Sequence, residues 1–533
     1  MMFLAGMPLM FLELSFGQYA GQGPITIWKA CPAFYGIGWS MVVISGLVAI
    51  YYNVIMAWTA LYFVKSFAFE LPWKSCKNSW NSLLCGYKND DGLYINGTWY
   101  NQSSLDEMGF NRPEGNLLTP AEEYWNKVVL QHEGYSMEDI GPLNWQLVLA
   151  LLFAWIVVFG CICKGIKSSG KVVYFTATFP YVILTVLLIR GVTLEGAGDG
   201  IIYYLSPRWE NIKKASVWND AAVQIFYSMG PAWGGVLTMA SYNKFHNNCL
   251  RDAILVPIIN CSTSFFAGFV VFSTLGFISR KTGTDLEDLS VSGPGLVFIT
   301  YPEAIAQMPV APLWSVLFFA MLFLVGLDTQ FGMVETVISG IIDRFPRLLR
   351  NHKTKVAFSI CSLFFVIGLP IVTKGGIYWF ELINWYSCWI SLMMVGMMEC
   401  IAISWFYGIQ RFLQDIRAML GRYPIVWPWY AACWLLITPG IILFISIFGL
   451  VQYVPVYYGD YVYPVWAEVV GWIMAAAPLV MMPLIAVGMF IFKAEGSILQ
   501  RLRFIITPSP DWGPQQSYEE NGVKVDISQD TRL

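Results

Sequence analysis

Four groups of polar residues stand inside otherwise apolar stretches of this 533-residue sequence. Gln224 and Ser228 are one helical turn apart, and Asn260 and Ser264 repeat the spacing, so each pair shares a helix face. Their carbonyl and hydroxyl oxygens suit an alkali cation, and their N–H and O–H groups suit an anion. Asp328 and Thr329 lie in VGLDTQF, where a carboxylate needs a cation or a buried partner. Tyr51, Tyr52 and Asn53 interrupt AIYYNVIMAW at a depth that argues against an interfacial tyrosine. For any single serine or threonine, a bond back to its own helix is the commoner arrangement; for Asp328 no such local solution exists. No HExxH, GxSxG, Walker or GxGxxG motif is present, so an enzyme is not the expectation. Asp90-Asp91 and Glu122-Glu123 sit in a polar loop and read as a solvated face.

These residues need a scaffold, and the stretch 218–247 is central to it. Apolar sequence there is interrupted by Ser228, Met229, Gly230, Pro231, Ala232, Trp233, Gly234 and Gly235. Proline removes a donor, glycine loosens the backbone, and freed backbone groups at bilayer depth are tolerated only in protein or beside a watery cavity. A plain proline kink and a binding site formed by a discontinuous helix both fit this stretch. Trp233, inside the break, is a candidate cavity wall.

Composition sets the setting. The chain is 56% hydrophobic and 13% charged, with a mean hydropathy of +0.55, which makes it a polytopic membrane protein in contact with lipid. Hydropathy predicts about eleven spans, near 2–19, 36–66, 145–163, 170–190, 218–244, 252–279, 312–344, 354–373, 376–408, 427–452 and 464–492. Lys164, Lys167 and Lys171, Lys244 and Arg251, the cluster from Arg344 to Lys355, and Arg411, Arg417 and Arg422 fall in alternate loops. The positive-inside rule makes those loops cytoplasmic, together with the C-terminus. The loop 67–144 is then extracellular, which suits its sequons at Asn96 and Asn101 and an oxidising compartment for Cys76 and Cys85. The tail 508–533 is polar and expected to be disordered. The first span runs inward from outside, and five spans from 218 face only four before them. Both points lead to the expectation that a preceding span, itself broken, belongs before Met1.

The sequence resembles the sodium- and chloride-dependent neurotransmitter symporters. The likeness is carried by GMPLMFLELSFGQY at 7–20, IYYNVIMAW at 50–58, QIFYSMGPAWGG followed by ASYNKFHNNC, GPGLVFITYPEA at 293–304, GLDTQF at 326–331 and SWFYGIQRF at 404–412. Within the family it is most similar to glycine and neutral amino-acid transporters. The resemblance implies an all-α fold of two inverted repeats, an incomplete one over 1–190 and another over 218–408, with two further helices over 427–492, inside a symporter domain of 1–507. It implies a Cys76–Cys85 disulfide. It also makes Val48, Tyr52, Tyr227, Trp233, Thr329 and Met333 the substrate pocket, with Tyr52 holding the carboxylate and Tyr227 the outer gate. Sodium would be held by Ser228, Asn260, the Val325 carbonyl, Asp328 and Thr329, and chloride by Gln224, Ser228, Asn260 and Ser264.

The implied activity is sodium- and chloride-coupled symport of a small neutral amino acid, glycine foremost, across the plasma membrane. No nucleic-acid partner is implied, and homo- or hetero-oligomers are left open. The alternative is a non-transporting membrane protein or assembly partner that lacks the first helix. Asn384 departs from the pattern, standing where the family carries an acidic outer-gate residue.

Overall fold

The computed structural model describes residues 1–82, 84–86, 92–95, 98–101, 118–163, 166–282, 285–286, 293–424, 426–459, 461–514, 518–520 and 523–525. The chain is an all-α polytopic bundle. Among the described residues, nine helices are long and apolar enough to cross a membrane, against about eleven expected. The other two expected spans are present in different form. Residues 2–19 make a π turn, Met2–Gly6, followed by only 14 α-helical residues, α1 (Met7–Ala20). The span at 218–244 is split into two short helices.

The remaining framework is α2 (Tyr35–Lys65), α3 (Trp145–Ile162), α4 (Ile166–Val192) and a short α5 (Ala197–Leu205). The split span gives α6 (Ala215–Met229) and α7 (Gly235–Ala240). Then come α8 (Cys249–Thr282), α9 (Ala311–Arg344) and α10 (Lys353–Gly368). The expected span 376–408 is not continuous: α11 (Gly376–Ser387) and α12 (Trp389–Ile401) are separated at Cys388, which leaves helical geometry at φ −125°. After α13 (Ile409–Leu420), α14 (Thr438–Val451) and α15 (Val465–Gly488) complete the bundle, and α16 (Ile498–Ile506) follows.

Burial explains the layout. Helix α1 is apolar all round and nearly every residue in it is buried, so it is an interior helix. It ends at Gly21, whose φ of +58° allows the left-handed cap that a side chain would resist. Helix α2 is also interior and packs on α9, α15 and α3. By contrast, α3, α4, α8 and α15 present rows of exposed apolar side chains, as lipid-facing helices do.

The polar loop after α2 is folded. Cys76 and Cys85 form a disulfide, with Cα atoms 5.8 Å apart. A short hairpin pairs Gly92–Ile95 with Thr98–Asn101; Asn101 is exposed, and Asn96 lies outside the described residues. The Glu123 carboxylate is buried and accepts from Asn81 Nδ2 at 2.9 Å, Lys127 Nζ at 2.9 Å and the Ser82 amide at 3.0 Å, with the Ser82 hydroxyl as a further donor. Burial pushes this carboxyl up, but the donors from Ser82, Lys127 and Asn81 outweigh it and hold it below the ordinary carboxylate range.

The first residues of the polar tail pack against the bundle. The Ser509 amide donates to the Lys29 carbonyl at 2.9 Å. Trp512 is buried beside Phe16, Tyr19 and Tyr407, donating to the Tyr407 hydroxyl at 3.0 Å. A large aromatic surface explains why this short stretch docks despite its polar surroundings.

Candidate functional site

The split span carries the site. Helix α6 ends where Gly230 turns to φ +67°; Ala232 also adopts a positive φ, and Gly234 at +78° starts α7. A non-glycine residue at positive φ is strained and must be held by its surroundings. The Ala232 amide donates to the carboxylate of Glu13 on α1, and the Trp233 carbonyl accepts from the Ser45 hydroxyl on α2 at 2.7 Å. The break is therefore braced by fixed partners and is more than a kink. Helix α1 approaches α7 so closely that a Cβ on Gly17 would lie 2.4 Å from the Leu237 carbonyl oxygen.

Around the break lies a cavity of about 370 Å³. All six residues expected in the substrate pocket line it: Val48, Tyr52, Tyr227, Trp233, Thr329 and Met333. Helical spacing explains the company they keep. Ser45, Val48 and Tyr52 repeat at i, i+3 and i+7 on α2, and Thr329, Met333 and Thr336 at i, i+4 and i+7 on α9. Tyr227 crosses Trp233 edge to face, with centroids 5.6 Å apart.

The residues expected to hold ions fall into two groups. Ser228 lines the cavity and accepts from Asn260 Nδ2 at 2.7 Å, bringing α6 and α8 together. Gln224 and Ser264 are exposed one turn away from those two residues, and Gln224 lines a second, larger cavity of about 760 Å³ that meets the first at Tyr227. On α9, Val325, Asp328 and Thr329 share one helical turn, and the Thr329 hydroxyl is 3.4 Å from the Val325 carbonyl. Asp328 Oδ1 accepts from the Thr176 hydroxyl on α4 at 2.5 Å. Among the described residues no lysine or arginine forms an ion pair with Asp328, so its charge faces neutral oxygens, a set suited to a small cation. Asn384 lines the second cavity, and an acid, Glu381, lies one turn earlier on α11.

Several residues that shape the site escaped the sequence reading. Glu13 and Glu399 are both fully buried and in hydrogen-bond contact. As two carboxylates they would leave Glu13 Oε2 and both Glu399 oxygens without a donor. One shared proton supplies that donor and removes the like-charge repulsion. An acid inside an apolar stretch was the available signal, and both residues showed it. Thr176 and Ser45 gave none, because a lone hydroxyl in a span is usually bonded to its own helix.

Comparison with known proteins agrees with this geometry. The family model described as the sodium:neurotransmitter symporter family matches residues 1–493. The chain is 45% identical over 532 residues to the sodium- and chloride-dependent glycine transporter 1 of Xenopus laevis, covering 99% of this chain and 83% of that protein. It is 44% identical to glycine transporter 2 of the same organism, covering 96% of this chain and 66% of that longer protein. It is 43% identical to the human sodium- and chloride-dependent neutral and basic amino acid transporter B(0+), covering 96% of this chain and 82% of that protein. With the split helix, the cavity and the family match in agreement, this chain belongs to the sodium:neurotransmitter symporter family, whose members are transporters.

Proposed function

We propose that the protein carries a small neutral amino acid, glycine foremost, inward across the plasma membrane, driven by sodium with chloride. The observation that carries this reading is the 370 Å³ cavity at the helix break, walled by Trp233 and Met333 and bordered by the Tyr52 side chain. Bulky walls leave room for a short side chain, and the phenol of Tyr52 can donate to a carboxylate. The carboxyl end of α6 presents carbonyls to a cation, as half-helix ends do in such carriers.

In this reading Ser228 and Asn260 serve the first sodium, while the Val325 carbonyl, Asp328 and Thr329 serve the second. Gln224, Ser228, Asn260 and Ser264 serve chloride. The two inverted repeats, 1–190 and 218–408, rock about the site with the C-terminus in the cytoplasm. Ions favour the outward-open state; substrate then brings Tyr227 over the pocket. Such a shift requires ligands that bind the two states unequally.

Radiolabelled glycine uptake in cells expressing this chain, with sodium or chloride replaced and surface delivery verified, tests the proposal. Saturable uptake that needs both ions is expected. A surface-delivered protein that takes up neither glycine nor any other neutral amino acid would overturn it.

A further inference from the structure

Among the residues lining the two cavities, Tyr227 is common to both, so its side chain is the partition between them. Its hydroxyl lies 2.7 Å from the hydroxyl of Tyr51 on α2. Tyr51 is buried and held edge-on against Phe380 at 5.7 Å, so it offers a fixed partner. A third group completes the cluster. Cys388, buried at the interruption between α11 and α12, lies beside the two phenols, and its Sγ is 3.3 Å from Ser387 Oγ.

We infer that Tyr51, Tyr227 and Cys388 form a latch that ties α2 and α6 to the α11–α12 break and holds the Tyr227 ring between the two cavities. The two phenols each donate and accept and so satisfy one another, while the Cys388 thiol beside them is bonded to Ser387. When Tyr227 swings out, the Tyr51 hydroxyl is left buried without that partner and the Cys388 thiol loses its cover, and the lost bond favours the closed gate. A phenylalanine at 227 would have nothing to latch with. Tyr51 and Cys388 act through Tyr227 and are positioning residues. Their consequence for transport rests on the reading proposed above; the latch geometry does not.

The test uses the full chain in cell membranes. A membrane-impermeant, charged methanethiosulfonate is applied from outside, and modification of Cys388 is followed by peptide mass, with Cys388→Ala as the blank. Tyr51→Phe and Tyr227→Phe should each speed modification of Cys388 by about two- to tenfold, the worth of one hydrogen bond. Cys400 and Cys433, fully buried elsewhere, should stay unmodified. An unchanged rate at Cys388, or a rise shared with Cys400 and Cys433, overturns the latch. Sodium with saturating glycine should slow modification of the unsubstituted chain. If the tyrosine variants speed modification while glycine has no effect, the latch stands and the substrate reading falls.

Discussion

Asp328 shows how one side chain can state a function and conceal its mechanism. The sequence marked it because a carboxylate inside an apolar helix needs a reason. What it could not give was the reason's other half, Thr176, 152 positions away and donating to Asp328 Oδ1. Removing that hydroxyl strips a hydrogen bond from a charged group, worth about 1.5–3 kcal/mol. Thr176→Val should therefore shift the sodium dependence of uptake by about tenfold or more, while Thr176→Ser stays near the unsubstituted chain. A sodium titration of uptake that is the same in Thr176→Val would sink this link. The Glu13–Glu399 pair yields a second expectation. Because Glu13 accepts from the Ala232 amide while neither Glu399 oxygen has a donor, the shared proton is assigned to Glu399. Glu399→Gln keeps a donor toward Glu13 and should melt close to the unsubstituted protein in detergent. Glu399→Ala strands a buried carboxylate and should cost about 1–3 kcal/mol. Equal melting temperatures for the two variants would show that no donor is needed.

At the scale of elements, legibility followed local chemistry. The α6–α7 break was readable because Gly230, Pro231, Gly234 and Gly235 write it into the chain. The α11–α12 break at Cys388 was not, since NWYSCWIS contains neither proline nor glycine and its interruption is imposed by packing. The residues on α2 and α9 that line the cavity were named from the family pattern alone, and the brace from α1 was not named at all. A helix buried on every side gives no amphipathic signal for which face meets what. The outer loop makes a prediction of its own. Glu123 has a depressed carboxyl, so its contribution is fully present above the unfolded value of about 4.3 and is lost as pH falls through the lower folded value. Protease cleavage within 76–130 should stay slow at neutral pH and accelerate as the medium is acidified below about pH 4. Glu123→Gln should be cleaved faster at neutral pH and lose most of that acid-dependent step. A Gln variant with the same rates and the same pH profile would remove Glu123 as the loop's anchor.

Seen as a whole, the molecule has two cavities that meet at Tyr227 and a charged network toward the far end of α9. On α9, Glu335 is buried and accepts from Lys353 of α10 at 2.5 Å and from Ser339 at 3.1 Å. The Tyr242 hydroxyl, just beyond α7, is 3.4 Å from the same carboxylate oxygen and 3.1 Å from Ser339 Oγ. The network thus pins the α7 half of the split span to the helix that carries Asp328. Nearby, the Gly23 amide donates to Asp343 Oδ2 at 2.8 Å, a second tie between α9 and the loop after α1. In the alternating-access reading proposed above, this tie loosens as the Tyr227 latch closes, so the two should be separable by mutation. Lys353→Met keeps the aliphatic stem but leaves Glu335 without its cation, a loss of about 1.5–3 kcal/mol for a charged hydrogen bond. The expected result is a shift toward the inward-open state, with amide hydrogen exchange over 235–247 faster by about tenfold or more. The cluster around Tyr51 and Tyr227 should exchange no faster. If exchange at 235–247 is unchanged, Lys353 and Glu335 do not hold this end. If both ends loosen together, the variant has destabilised the bundle rather than released one gate.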